Sequence, residues 1–560
     1  MQRPVAVHRD GTIYLFERDD SDGQIGQKLV QFAELVKAPE GIHTFRLTPY
    51  SLWSGAARQI PAENIINFLE SNSINQIPNS LKRKIKTTMT TFNTIELRRQ
   101  ETTLILEAKH RLVMARILSN KKIADMVKCK PDTVTLHFDI DKRIELKKHL
   151  SKKGLFAKDA SNVAGEHLDI NLRMGTLESD PFSLRDYQKE AATAFLRYND
   201  FAGGGGLIIM PPGTGKTLVG LAIMSQVKTS TLIIVDKPST IDLWKTEIAD
   251  KTDLSVKNVS AYSDTEATVQ PVTIATYQQL ATKSAFAKEV LSAKWGLVIY
   301  DDAHKIPAET YVETTDIESQ FKLALASTLA RSDQKGTEIY SLIGPKWYEI
   351  LPRTLESRRF LRPVRYFEIR IPLENGEHTS RQRAANNARQ RRIAAFNSLK
   401  FRALDKLLEW DKNIVIVTYY RNLAKSIAEK YQIPLLNTTK HPRRDQLIEH
   451  FNQAIGSRLV ITSVLESLPV KNMDIILAVS YNKGSEREEY LRLGKVAAYQ
   501  SGETGYFVSL VSANTIEETD YKKRRRSLIN CGYRYKIMHF QDFIKEGITA
   551  EPATGASQKK

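Results

Sequence analysis

Cysteine is nearly missing from this chain of 560 residues: Cys129 and Cys531 are the only two, and they lie far apart. That excludes a disulfide framework and a cysteine zinc site as organising devices, and it suits a reducing compartment, so a cytoplasmic protein is expected. No uninterrupted apolar run approaches the ~18–20 residues that span a bilayer, so no membrane partner is expected. The opening MQRPVAVHRDGTIYLFERDD interleaves charges with its apolar residues and has no secretory apolar stretch. No unit of roughly 20–50 residues repeats, which excludes a solenoid. Acidic residues are in deficit, 64 Asp and Glu against 82 Lys and Arg, for a net charge of +18. An excess of that size favours nucleic acid or another polyanion as partner.

Hydrophobic residues make up 41% of the chain, enough for packed cores, and the length predicts about three to five domains. Residues 1–175 mix an extended stretch (Pro4 to Phe16, turning at Asp10–Gly11) with helical patterns. One such pattern is carried by Phe32, Leu35 and Val36, another by Asn64 to Leu69. The basic clusters LKRKIK at 81–86 and KKHLSKK at 147–153 are either solvated helix faces or contact points.

From 178 to 350, the runs GLIIM (206–210), TLIIV (231–235), VTIAT (272–276) and GLVIY (296–300) alternate with longer helical segments. Continuous β-branched runs separated by helices predict a buried parallel sheet. Residues 351–400 change character: between Arg353 and Arg402 there are 13 Lys or Arg and 4 Asp or Glu. Arg389, Arg391 and Arg392 in this stretch are candidate contacts to a phosphate backbone. Residues 401–545 alternate again through NIVIVTYY, RLVITS, DIILAVS and GYFVSLV, predicting a second α/β unit, and 546–560 reads as a disordered tail.

The strongest chemical signal is PPGTGKT at 211–217, between the strand GLIIM and the helical LVGLAIM. Gly213, Thr214 and Gly215 let backbone N–H groups curl around phosphates at a helix N-terminus. Lys216 reaches the β- and γ-phosphates, and the Thr217 hydroxyl suits Mg²⁺. The strict pattern asks for Gly where the chain has Met210. A second signal, DDAH at 301–304, follows the strand GLVIY, where a carboxylate faces the ligand crevice. Asp301 is the candidate Mg²⁺ ligand, Asp302 orients or deprotonates the attacking water, and His304 links the nucleotide to neighbouring loops. ATP and Mg²⁺ are the expected cofactors.

LRDYQ (184–188), PPGTGKT, DLWKTEI (242–248), IYDDAH and SLIGPKWYE (341–349) together resemble a superfamily-two helicase. More closely they resemble the xeroderma pigmentosum group B (XPB) DNA helicases in their bacterial and archaeal form. FAELVKAPEGIHTFRLTPYSLW (32–53), RLGKV (492–496) and NCGYRYKI (530–537) extend the likeness over nearly the whole chain.

The resemblance implies an α/β fold: two RecA-like doubly wound parallel lobes in tandem after an α+β N-terminal domain that engages DNA. ATP is bound between the lobes, and the activity is 3′-to-5′ DNA translocation or unwinding in repair or duplex opening. Contacts to DNA are largely independent of sequence, and a repair nuclease or other repair factor is a possible partner. Gln188 would contact adenine, and the basic segment 351–400 would stand where the family inserts a thumb-like element. Tyr366 and Phe367 there are candidates for base stacking, with core packing as the competing use.

Several positions depart from the family pattern. The DExH box has Asp302 for its Glu, and the Arg-Glu-Asp element linked to DNA unwinding reads Arg331, Ser332, Asp333. The QRLGRxxR motif aligns with Leu491 to Ala498, leaving Lys495 for the first finger arginine and Ala498 for the last. Lysine keeps the charge without the planar fork of donors. SLP at 467–469 is the nearest match to an Asp-Leu-Pro loop. The competing function is therefore an ATP-binding DNA scaffold that hydrolyses weakly or not at all; an RNA helicase is a third possibility.

Overall fold

The computed structural model describes residues 3–20, 22–38, 41–160, 164–173, 175, 182–198, 203–261, 268–282, 284–329, 338–374, 386–436, 443–462, 468, 470–481, 486–498, 504–530 and 533–548. The chain divides into two compact units, one of residues 1–36 and 41–354, the other of 37–40 and 355–560.

The first unit begins with two small sheets. Strands β1 (Val5–Val7), β2 (Thr12–Phe16), β3 (Glu34–Lys37) and β4 (Ile42–Arg46) form one in the order β1-β2-β4-β3. Strands β5 (Ile95–Gln100), β6 (Thr103–Ala108), β7 (Thr135–Asp139) and β8 (Lys158–Asp159) form the other in the order β7-β6-β5-β8. The helical pattern expected around Phe32, Leu35 and Val36 is instead a turn leading into β3. Three apolar residues at helical spacing span little more than one turn, and pairing beside β4 decides the conformation. Asn64 to Leu69 does lie in a helix, Ala62–Asn72.

The two basic clusters part company. On the helix Asn79–Thr90, Leu81, Ile85 and Met89 face the core, while Lys82 and Lys86 pair with Glu70 and Glu63 at the surface. On the helix Arg143–Lys152, by contrast, Arg143 and Lys147 are buried and both donate to Asp159 Oδ2, at 2.8 Å each. Burial alone would raise the Asp159 carboxyl; the two cations override it and hold it well below the usual range. Lys147 also donates to the Leu342 carbonyl at 3.0 Å, tying the N-terminal region to the helix Glu338–Leu342 of the same unit.

The large sheet of this unit has seven strands: β9 (Gly205–Ile209), β10 (Thr231–Val235), β11 (Val259–Ala261), β12 (Val272–Thr276), β13 (Trp295–Tyr300), β14 (Ser319–Ala326) and β15 (Lys346–Glu349). Their order is β11-β12-β10-β13-β14-β9-β15, and every neighbouring pair is parallel. All residues of β9, β10, β12 and β13 are buried, as helices on both faces of a parallel sheet require.

The second unit repeats the plan. Strands β16 (Val364–Ile371), β17 (Ile414–Thr418), β18 (Leu435–Leu436), β19 (Arg458–Thr462), β20 (Ile475–Ala478), β21 (Gly505–Ser512) and β22 (Arg534–His539) run in the order β18-β19-β17-β20-β21-β16-β22, again all parallel. Adding seven to each strand number of the first sheet reproduces the second, so the two are topologically the same lobe built twice. These are tandem RecA-like lobes.

This duplication corrects the reading of 351–400. Part of that segment is β16, which lies between β21 and β22 in the second sheet and corresponds to β9 in the first. Tyr366 and Phe367 are 1% and 4% exposed. Tyr366 stacks on Phe507 and Tyr535, so core packing, not base stacking, is their use.

Candidate functional site

The phosphate loop connects β9 to the helix Lys216–Val227. Gly213 and Gly215 have φ of +77° and +78°, the left-handed region that glycine enters without strain. A Cβ on Gly215 would also lie 2.5 Å from Gln188 Nε2. The Thr214 hydroxyl donates to the Pro211 carbonyl at 2.6 Å, closing the loop on itself. Lys216 Nζ lies 3.3 Å from the carbonyls of both Met210 and Pro211, so the ammonium is held over the mouth of the loop. Thr217 follows in the first turn of the helix and is half-buried.

The helix Asp186–Tyr198 braces this loop from behind. Tyr187 Oη and Gln188 Nε2 both donate to the Thr214 carbonyl, at 3.0 and 2.8 Å. The other end of the Gln188 amide accepts the Arg185 N–H at 2.9 Å. Gln188 is buried, and one of its two N–H groups is thus committed to the loop itself.

Asp301 and Asp302 leave the end of β13, two strands from β9 in the sheet. Each polar atom of Asp301 has a partner. Its N–H donates to Ile234 O at 2.8 Å, and its carbonyl accepts Tyr277 Oη at 3.1 Å. Oδ1 accepts the Asp302 N–H at 2.9 Å, and Oδ2 accepts Trp244 Nε1 at 2.9 Å. Burial, with the adjacent Asp302 carboxylate, pushes the Asp301 carboxyl up to about 6, against the opposing pull of Trp244 and Lys216. Asp302 itself has φ +54°. Outside glycine, asparagine and aspartate are the residues that best tolerate that conformation. His304 lies in the short turn Ala303–Lys305, which Lys305 ties to Asp236 at the end of β10 across 3.3 Å.

The cluster thus brings together a loop of inward N–H groups, an ammonium, a hydroxyl and two carboxylates at the C-terminal edge of one parallel sheet. Such a set is able to hold a triphosphate. Its hard oxygen donors, with a buried carboxylate whose charge a cation would relieve, fit Mg²⁺. Reading the sequence alone did not find Trp244, Tyr187 or Tyr277 as parts of this site. A signal was present for the first: a buried indole needs an acceptor for its N–H, and Trp244 is fully buried.

The remaining expected residues lie elsewhere. In the second unit, Lys495 sits on the helix Glu486–Ala497 and donates to the Leu468 carbonyl at 2.6 Å. Glu489 on the same helix is buried and accepts the hydroxyls of Tyr521 at 2.6 Å and Tyr481 at 3.2 Å. Arg389, Arg391 and Arg392 share the helix Asn387–Ala395. Arg389 and Arg392 are exposed, but Arg391 is clamped to Asp520 through Nε at 2.5 Å and Nη2 at 3.2 Å. Its guanidinium is spent inside the lobe, which removes it from the expected DNA contacts. Arg331 and the Ser332–Asp333 that follow, the side chain of Leu491, most of SLP at 467–469 and the tail beyond 548 fall outside the described residues.

Comparison with known proteins supplies the context. Residues 355–559 match the family described as ERCC3/RAD25/XPB C-terminal helicase. Residues 181–331 match the res subunit of type III restriction enzymes, and 5–130 a helicase conserved C-terminal domain. The chain is 31% identical to the DNA 3′-5′ helicase XPB of Mycobacterium tuberculosis, covering 97% of this chain and 99% of that one. It is likewise 31% identical to the DNA 3′-5′ helicase XPB of Kineococcus radiotolerans, over 96% and 97% of the two chains. Identity is 26% to the general transcription and DNA repair factor IIH helicase/translocase subunit XPB of Enterocytozoon bieneusi, over 96% and 93%.

Proposed function

The chain belongs to the XPB family of DNA helicases, and on that premise we propose that it couples ATP hydrolysis to 3′-to-5′ movement on DNA, in repair or in duplex opening. One observation carries the reading: the phosphate loop and the Asp301–Asp302 pair share one edge of one sheet, with Lys216 close enough to act on Asp301 electrostatically.

In this reading Gly213, Thr214 and Gly215 direct backbone N–H groups at the phosphates, and Lys216 moves from its carbonyl partners to the β- and γ-oxygens. Gln188 keeps the loop in shape through Thr214 and turns its remaining N–H toward the base. Thr217 and Asp301 are the residues that would hold Mg²⁺, which when bound neutralises charge on the phosphates. Asp302, half-buried beside Asp301, takes the proton of the attacking water or orients it. His304 links this turn to the nucleotide. Lys495 supplies a single ammonium where the family pattern has an arginine. Exposed Arg389 and Arg392 contact the DNA backbone, and a repair nuclease or other repair factor is a fitting partner.

The competing picture of a non-hydrolysing scaffold is not favoured, since relatives named as helicases match the chain over nearly its full length. The decisive experiment measures ATP hydrolysis with and without DNA, together with strand displacement, for the parent and for Lys216→Ala. DNA-stimulated turnover that Lys216→Ala abolishes supports the reading. A parent that binds ATP and DNA but never turns over ATP would overturn it.

A further inference from the structure

In an open α/β sheet, ligands bind beyond the carboxyl ends of the strands where the winding direction reverses. In the second lobe that reversal lies between β17 and β20. From β17 the chain goes out to the edge strand β18, comes back through β19, and then crosses to β20 on the other side. The ends of these two strands are fastened together. Thr418 Oγ1 and Ser480 Oγ are 2.6 Å apart, and the Tyr419 N–H donates to Ser480 Oγ at 3.1 Å.

Tyr419, the first residue beyond β17, is 41% exposed, an unusual position for a large aromatic side chain at the mouth of a buried sheet. A chain of rings and cations leads away from it. Tyr419 and Tyr420 meet edge to face with centroids 5.2 Å apart. Tyr420 lies 5.9 Å from Phe396, and the Arg392 guanidinium sits 5.8 Å over the Phe396 ring. The helix bearing Arg392 is fixed to the lobe by the Arg391–Asp520 clamp.

Arg392, over Phe396, and Arg421, next to Tyr420 in the chain, bring positive charge to this row. Arg389, Arg392 and Arg421 are exposed. Asp520 is engaged with Arg391, and Glu517, which acts on Tyr420, is engaged with Lys400. An exposed ring whose backbone is pinned, with a half-buried ring supporting its edge and exposed cations on the neighbouring helices, has the character of a stacking platform for a single strand. Every base has a π-face, so such a platform tolerates any sequence, while arginines take the phosphates on either side.

We infer that Tyr419 stacks on an unpaired nucleobase, with Arg392, Arg389 and Arg421 receiving the flanking phosphates of the same strand. The inference rests on the reading of the chain as a DNA motor and assigns one of its contacts to a base rather than to the backbone.

The test is a cycle in which either the ring or the base is removed. Parent, Tyr419→Ala and Tyr419→Phe are titrated with oligothymidine of about 20 nucleotides and with an abasic sugar-phosphate strand of the same length, at fixed salt. Tyr419→Ala should weaken oligothymidine binding by about fivefold or more, the lower end of what one stacked base contributes. It should leave the abasic strand within about twofold of the parent, and Tyr419→Phe, which keeps the ring, should match the parent on both strands.

Equal weakening on both strands, no weakening on either, or a Phe variant as damaged as the Ala variant would overturn the inference. So would a parent that binds the two strands equally, a result that needs no variant to fold. These failures differ from failure of the motor reading, which would appear as parental ATP hydrolysis that DNA does not stimulate.

Discussion

Trp244 and Asp301 are joined by a 2.9 Å hydrogen bond from the indole N–H to carboxylate Oδ2, with both side chains buried. The same indole packs on the helix that follows the phosphate loop: a Cβ on Gly220 would come within 2.6 Å of the Trp244 ring. One side chain therefore touches both halves of the nucleotide site, and Gly220 is what lets the helix come that close.

Trp244→Phe is the first test of that relationship. It keeps a ring in the pocket but removes the indole N–H that donates to Oδ2. Loss of a partner that orients a metal-binding side chain typically costs about 10- to 100-fold in activity or metal affinity. We expect ATP turnover to fall in that range and the Mg²⁺ concentration for half-activation to rise, while ATP binding without metal stays near the parent's. Titration of turnover against Mg²⁺ checks this; an unchanged half-activation point would reduce Trp244 to packing.

Asp302→Asn tests the proposed base. Asparagine also accepts the left-handed backbone at this position, so the turn should survive. Turnover is expected to fall by about 10²–10⁴-fold with ATP affinity retained. Asp302→Glu restores the residue usual in the box but places a longer, less suitable side chain at φ +54°. A lower thermal midpoint than the parent's, read by calorimetry, is the expected sign of that strain.

The three arginines of the helix Asn387–Ala395 should separate into two classes. Neutralising Arg389 and Arg392 together is expected to lower the slope of log affinity against log salt by about 1.4 for single strands, at ~0.7 per phosphate contact. Arg391→Ala should leave that slope nearly unchanged and instead cost about 1–3 kcal/mol of stability, by stranding Asp520 without its charged partner. Salt titrations beside urea melts distinguish the two. A slope that falls equally with Arg391→Ala would return that residue to the DNA surface.

Glu34 gives a pH prediction. Its Oε1 is buried without a hydrogen-bond partner, and burial raises the carboxyl above its ordinary value despite Lys346. The folded state then holds a proton that the unfolded chain has released, so this group costs stability as pH rises through that window. Glu34→Gln removes the cost. Its thermal midpoint should exceed the parent's near pH 8, and the gap should close below about pH 4, where both states carry the proton. A gap that widens toward acid would have the wrong sign.

Much of this molecule could be read locally. PPGTGKT, with a buried apolar strand before it and a helix after it, carries its chemistry in contiguous residues. For that reason the loop, its lysine and the carboxylates after β13 could be placed before any packing was known. The parallel lobes were legible for a similar reason: a strand covered on both faces is apolar on nearly every residue, and TLIIV and IVIVT are broken only by a terminal threonine. The family pattern extended that reading across both lobes.

Tertiary structure decided what local pattern does not encode, namely which buried polar groups meet. Trp244 finds Asp301 across 57 positions, and Arg391 finds Asp520 across 129. Lys147, one of a run that reads as a basic surface, turns inward to Asp159. Tyr366, in the most basic stretch of the chain, becomes core because β16 is drawn between β21 and β22. Periodicity reports which face of an element is apolar. The partner of a charge or an indole is set by distance and desolvation in the folded chain, where an unpaired polar group costs more than any local preference can offset.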